Sequence, residues 1–151
     1  MKEFIIYGEP KGKGRPRFST VNGYVKTRTP EDTVNYENLV KLSYQKEFSG
    51  HPMYEQHKPL VMEIDAYYSI PKSTSKKKIE QMMCGKIRPT KKPDIDNLCK
   101  IIMDSLNKIA YYDDSQIVQA TVNKYYSKTP RVHVRMYTLA EWEYNFGTCK
   151  R

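Results

Sequence analysis

The chain has 151 residues, with 26 Lys and Arg against 17 Asp and Glu, a formal net charge of +9. That length fits one domain, residues 1–151, able to bury roughly 68–70% of its unfolded surface, and the charge favours an anionic partner, nucleic acid before an acidic membrane surface. No apolar run approaches the roughly 18 residues of a membrane helix, Met1–Tyr7 lacks a signal peptide's apolar core, and Cys84, Cys99 and Cys149 form no Cys-x-x-Cys pair; a membrane span, a leader, a zinc site and a disulfide framework are excluded, and a reducing cytoplasm is expected.

Lys2–Tyr7 reads as a short strand, and Gly8–Pro30 as a long loop rich in Gly, Pro and basic residues. Gly12 and Gly14 make no phosphate-binding loop, because no Gly-Lys-Ser/Thr ending follows. Lys11, Lys13, Arg15 and Arg17 stand at alternate positions and would project to one side of an extended segment. Asn22-Gly23 is a tight hairpin turn between short extended pieces. Thr29-Pro30-Glu31-Asp32 starts a helix that runs to about Phe48 and is ended by Gly50. Its stripe of Tyr36, Val40, Tyr44 and Phe48, joined by Leu39, is core.

Pro59–Ile70 alternates as a half-buried strand, with Glu63 and Asp65 on a solvated face. Pro71–Lys92 holds eight Lys or Arg and one acid, Glu80. Ser75–Cys84 forms a short helix ended by Gly85, and Lys86, Arg88, Lys91 and Lys92 lead directly into Asp94. Gln116–Tyr126, with Val118, Ala120 and Val122 on one face, and Arg131–Tyr137 are strands joined by the turn Ser127–Pro130, and they pair as a hairpin. A short helix forms around Trp142. Most of the 13 tyrosines are packing residues, and His51, His57 and His133 lack ligand spacing. The order of elements predicts an α+β two-layer domain, a mixed sheet with helices packed on one face.

The chemistry concentrates in Pro93–Ser115. Leu98, Ile101, Ile102, Ser105, Leu106 and Ile109 share one face of an amphipathic helix. Asp94 and Asp96 open it, and Asp113 and Asp114 follow its end. One aspartate suffices as an N-cap; two acidic pairs in a basic chain need another reason. Hard cations such as Mg2+, with Mn2+ able to substitute, take carboxylate oxygens together with substrate phosphate and water. So held, they promote in-line attack of water at phosphorus. Lys100, one turn after Asp96, shares its face and can steady the phosphate. A basic run feeding this cluster gathers nucleic-acid backbone beside it.

The stretch Asp94-Ile95-Asp96-Asn97, then Lys100, then Asp113-Asp114-Ser115-Gln116-Ile117-Val118 resembles the RusA-type Holliday junction resolvases. Lys11-Gly12-Lys13-Gly14-Arg15-Pro16-Arg17 resembles that family more weakly. The resemblance implies Asp94, Asp96 and Asp114 as metal-binding carboxylates, with Asp113 as the alternative to Asp114, and Lys100 as the essential lysine. It also implies a homodimer that makes paired symmetrical cuts in a DNA four-way junction during recombination or repair, with no organic cofactor. Lys13, Arg15, Arg17, Lys86, Arg88, Lys91 and Lys92 are the expected DNA contacts. Two other classes fit less well. A non-catalytic, structure-specific DNA-binding module leaves the acidic pairs unexplained. A sugar-nucleotide transferase read from Asp-x-Asp lacks a nucleotide-binding βαβ unit. An EF-hand loop fails at Leu98 and Cys99.

Overall fold

A computed structural model describes residues 1–15, 17–21, 24–51 and 53–147, without the side chains of 17, 19–21 and 25–27. The expected turn at Asn22-Gly23 and Cys149 lie outside the described residues. In chain order the elements are β1 (Lys2–Tyr7), β2 (Arg17–Val21), β3 (Tyr24–Arg28), α1 (Glu31–Phe48), β4 (Leu60–Ser69), α2 (Lys76–Met83), α3 (Ile95–Leu106), β5 (Ile117–Ser127), β6 (Arg131–Thr138) and α4 (Leu139–Phe146). A single 3-10 turn, Asp114–Gln116, precedes β5.

The main sheet has the order β1-β6-β4-β5. Its pairs are antiparallel except β4 with β5, which is parallel. The sheet is therefore mixed and the class α+β, as expected. The separate β2–β3 ribbon pairs Arg17 with Arg28 and Val21 with Tyr24.

The hairpin expected of β5 and β6 does not form, because β4 lies between them. Tyr67 of β4 registers with both Tyr125 and Arg131. The loop Lys128–Pro130 thus crosses the end of β4, a span of roughly 10 Å that a few extended residues cover. The reason is β4 itself. It is buried on both faces: Leu60, Met62, Ile64, Ala66 and Tyr68 on one side, Val61 and Asp65 on the other. Such a strand is most stable with a neighbour on each edge, while the more polar β5 tolerates the sheet's rim. There Val118 is 58% exposed rather than packed beside Val122.

Tyr36, Val40 and Tyr44 of α1 and Leu98, Ile101, Ile102 and Leu106 of α3 cover one face of the sheet. The i, i+4 and i, i+3 spacing seen in the sequence is what aims them there. Leu39, expected in the stripe, sits at its exposed rim. At the end of α3, Lys108 adopts φ 64° and reverses the chain. Tyr111 then returns to donate its hydroxyl to the Met103 carbonyl at 2.8 Å.

The opposite face is only partly covered, by α4, through Trp142 Nε1 on Glu63 (3.5 Å) and Phe146 against Tyr137. Glu63 and Asp65 are not the solvated pair that alternation suggested. Arg135 on the neighbouring strand binds Asp65 at 2.7 Å and Glu63 at 3.0 Å. Asn123 donates to Asp65 at 3.0 Å, and Asp65 is 7% exposed. Cross-strand register places these groups opposite one another, which periodicity within β4 alone does not report.

Candidate active site

Asp94 is the N-cap residue of α3, and Asp96 lies in its first turn. Both are exposed. The Asp94 carboxylate makes no capping hydrogen bond, so its expected local role is not the one it performs. Leu98 N–H instead bonds the Asp94 carbonyl at 3.0 Å as the helix begins. The helix dipole favours anions at this end. Lys100 is exposed on the same helix.

The approach to Asp94 is held by a residue that sequence reading passed over. Lys124 of β5 extends its ammonium to the Lys91 carbonyl and, at 3.1 Å, to the Pro93 carbonyl. The same ammonium lies 5.3 Å from the ring centre of Tyr68, and the Lys91 ammonium lies 5.2 Å from it. Burial raises the Tyr68 hydroxyl to about 12, with Glu9 and Asp94 nearby adding to the shift. The parallel pairing of β5 with β4 is what brings Lys124 here. No motif in the sequence marks it.

The amino-terminal segment closes the other side. A Cβ on Gly12 would stand 2.6 Å from Pro93 Cβ and 3.1 Å from Asn97 Cβ, and one on Gly14 would stand 2.7 Å from Thr33 Oγ1. The two glycines thus allow the backbone to lie against the start of α3 and of α1. Lys13 N–H bonds the Asn97 carbonyl at 3.0 Å. A cleft of about 740 Å³ opens between this segment, Pro30–Thr33 and Lys92–Asp94.

The expected DNA contacts divide. Arg15 and Lys92 are exposed and line the cleft. Lys86 is exposed beyond α2. Lys91 borders Tyr68, as above, while Arg88 stacks on Tyr125 at 4.2 Å, on the other face of the sheet. Lys13 is committed elsewhere: its ammonium binds Asp104 of α3 and, at 3.2 Å, Glu37 of α1. It ties two helices together. The Arg17 side chain is outside the described residues.

The second acidic pair is not beside the first. Asp113 accepts from Ser115 N–H at 3.0 Å and caps the turn that leads into β5. These bonds from Ser115 hold its carboxyl below the ordinary carboxylate range. Gln116 fastens the turn to the start of β4 through the Glu55 and Lys58 carbonyls, at 2.8 and 3.1 Å. Asp94 lies near Tyr68 at the end of β4; Asp113 and Asp114 lie near its beginning. The 12-residue α3 separates them by roughly 18 Å. Among the described residues no three His, Cys, Asp or Glu side chains gather closely enough to hold one ion.

Within one chain, then, Asp94 and Asp96 are the pair that suits Mg2+, which needs only one or two carboxylates beside phosphate and water. No described helix is long and apolar enough to cross a membrane.

Known proteins share this arrangement of sequence. The chain is 42% identical over 141 residues to "Uncharacterized protein YqaN" of Bacillus subtilis (strain 168), covering 87% of this chain and 92% of that one. It is 27% identical over 135 residues to "Crossover junction endodeoxyribonuclease rusA" of Lactococcus phage r1t, covering 89% and 94%. Residues 7–137 match the family described as Endodeoxyribonuclease RusA, a span that holds the cleft, α3 and both acidic pairs. The chain belongs to the Endodeoxyribonuclease RusA family.

Proposed function

We propose that the protein is a Mg2+-dependent endonuclease that resolves four-way DNA junctions by paired symmetrical cuts, acting as a homodimer. The observation that carries this reading is the exposed Asp94/Asp96 pair at the N-terminus of α3, in a chain otherwise strongly basic and flanked there by Lys91, Lys92 and Lys100. A surface built only to bind phosphate gains nothing from two carboxylates at that point.

Asp94 and Asp96 would hold the ion. When bound, it lowers the pKa of the attacking water and offsets charge on the phosphate oxygens. Lys91 and Lys92 draw the backbone into the cleft against the repulsion of the aspartates. Lys100 donates to a non-bridging oxygen as charge builds in the transition state. The products are a 5′-phosphate and a 3′-hydroxyl.

The separation of the acidic pairs supports the dimer. In an antiparallel, two-fold pairing across α3, the start of one helix meets the end of the other. Asp94 and Asp96 of one chain then approach Asp114 of its partner. Ile95 on α3, Tyr112 beyond its end and Val118 on β5 are exposed apolar groups available to such a contact. Asp113 is engaged with Ser115, which leaves Asp114 as the better donor.

The test is cleavage of a synthetic four-way junction beside a linear duplex of the same sequence, with and without Mg2+. Paired nicks on the junction alone, dependent on the metal, are expected. Tight junction binding with no cleavage under any divalent metal would return the chain to the non-catalytic reading.

A further inference from the structure

The open face of the sheet carries a row of cations and rings that the cleft does not use. Arg88, beyond α2, lies 4.2 Å from the ring centre of Tyr125 on β5. Tyr125 stacks on Tyr67 of β4 at 5.4 Å, with the planes 23° apart. Arg131 of β6 lies 4.0 Å from the Tyr67 ring centre on the other side. Register continues the row to Tyr7 on β1, which is 66% exposed. The row crosses the strands at the same end of the sheet as Asp94, but on the opposite face from Tyr68.

Its charge is unspent. Arg135, on the same face, is neutralised by Glu63 and Asp65. Arg131 donates only to neutral oxygens, Ser127 Oγ at 3.1 Å and the Thr129 carbonyl at 3.0 Å. Arg88 has only a long contact, 3.5 Å, to the Gly85 carbonyl. Neither has a carboxylate within ion-pair distance among the described residues. Stacking occupies the flat face of a guanidinium and leaves its in-plane N–H groups free for phosphate. Two arginines held in this way are pre-ordered cations, so little side-chain entropy is lost when an anion binds.

The geometry points to a second DNA-backbone site on the open face of the sheet, in which Arg88 and Arg131, fixed by Tyr125 and Tyr67, grip the phosphates of a duplex arm leaving the cleft. It rests on the junction-DNA reading above and adds a surface on the far side of the strand ends, where Lys91 and Lys124 already supply positive charge on the near side. A second protein copy is the competing occupant, and the free positive charge of the row argues against it: two copies meeting on this face would oppose arginine to arginine.

The experiment compares the full chain with Arg88→Gln/Arg131→Gln and with Arg88→Lys/Arg131→Lys. Binding to a labelled four-way junction and to a linear duplex is measured in metal-free buffer across a salt series, after melting curves show that both variants fold. Loss of two phosphate contacts in each protomer that engages DNA should reduce the slope of log K against log salt by about 2 per engaged protomer and weaken binding at least roughly tenfold at moderate salt, for both DNAs. The Lys variant should recover most of the slope. An unchanged slope in the folded Gln variant overturns the proposal and leaves the row a packing feature. A Gln variant that changes oligomeric state with its slope intact overturns it in favour of a protein interface. Binding by the native chain with no junction cleavage once Mg2+ is added would sink the nuclease reading yet leave this test intact, and no DNA binding at all would sink both.

Discussion

Gly12 shows how much of the site depends on a missing methyl group. Its position 2.6 Å (as a built Cβ) from Pro93 Cβ leaves no room for a side chain between the amino-terminal segment and the residues that lead into Asp94. Gly12→Ala should therefore displace Pro93 by about an ångström, and displacements of that size at a reacting centre cost on the order of 100-fold in rate. Single-turnover junction cleavage should fall by roughly 10- to 100-fold, with metal-free DNA binding much less affected. An unchanged rate would show that the segment yields without moving Asp94. The sequence displays this glycine plainly, within Lys-Gly-Lys-Gly, and excludes a phosphate loop there. What it cannot display is the partner, because Pro93 lies far along the chain.

At the scale of elements, capping decides how well the last helix is fixed. Thr138 and Glu141 form a capping box at the start of α4: Glu141 N–H bonds Thr138 Oγ1 at 3.2 Å, and Thr138 N–H bonds Glu141 Oε2 at 2.9 Å. The Met1 ammonium adds a bond to Glu141 at 2.9 Å. That ammonium first, and the Thr138 N–H next, hold the Glu141 carboxyl below its ordinary value of 4.5. A depressed carboxyl contributes stability that is complete above the unfolded value and is lost as pH falls through the folded one. Glu141→Ala should cost about 1 kcal/mol at pH 7, a Tm drop of roughly 2–4 °C for a chain this size. The gap between variant and native protein should narrow below pH 4.5. A gap that holds constant down to about pH 3 would show that the charge on Glu141 is not what matters. The helix itself was legible around Trp142; α3 was legible too, from its apolar face, though its end at Leu106 rather than Ile109 follows from the left-handed Lys108.

For the whole molecule, the question is whether one chain or two make a site. If Asp94 and Asp96 work with Asp114 of a partner, two inactive variants should complement. Chains carrying Asp94→Asn/Asp96→Asn, mixed with chains carrying Asp113→Asn/Asp114→Asn, would form heterodimers with one intact site and one empty of carboxylates. Cleavage should reappear on mixing, as single nicks rather than paired cuts, in up to about half of the dimers. Absence of any recovery from chains shown to exchange would place all the needed carboxylates in one chain. This prediction belongs to the assembly because the roughly 18 Å length of α3 forbids a shared ion within the monomer.

The sequence by itself determined the elements and their chemistry. Periodicity reports burial along a single element, so it located the strands, α1 and α3 and the inward faces of both helices. Residue type reports what a side chain can bind, so it singled out Asp94, Asp96 and Lys100 in a basic chain. Only the tertiary structure decided which edges meet. It inserted β4 between β5 and β6, set Arg135 against Glu63 and Asp65, and turned Lys13 into a tie between α1 and α3. It also carried Lys124 to the Lys91 and Pro93 carbonyls. Each of these joins residues far apart in the chain, and such pairings are chosen by the competition of whole faces for burial and of strand edges for partners, which no local pattern records.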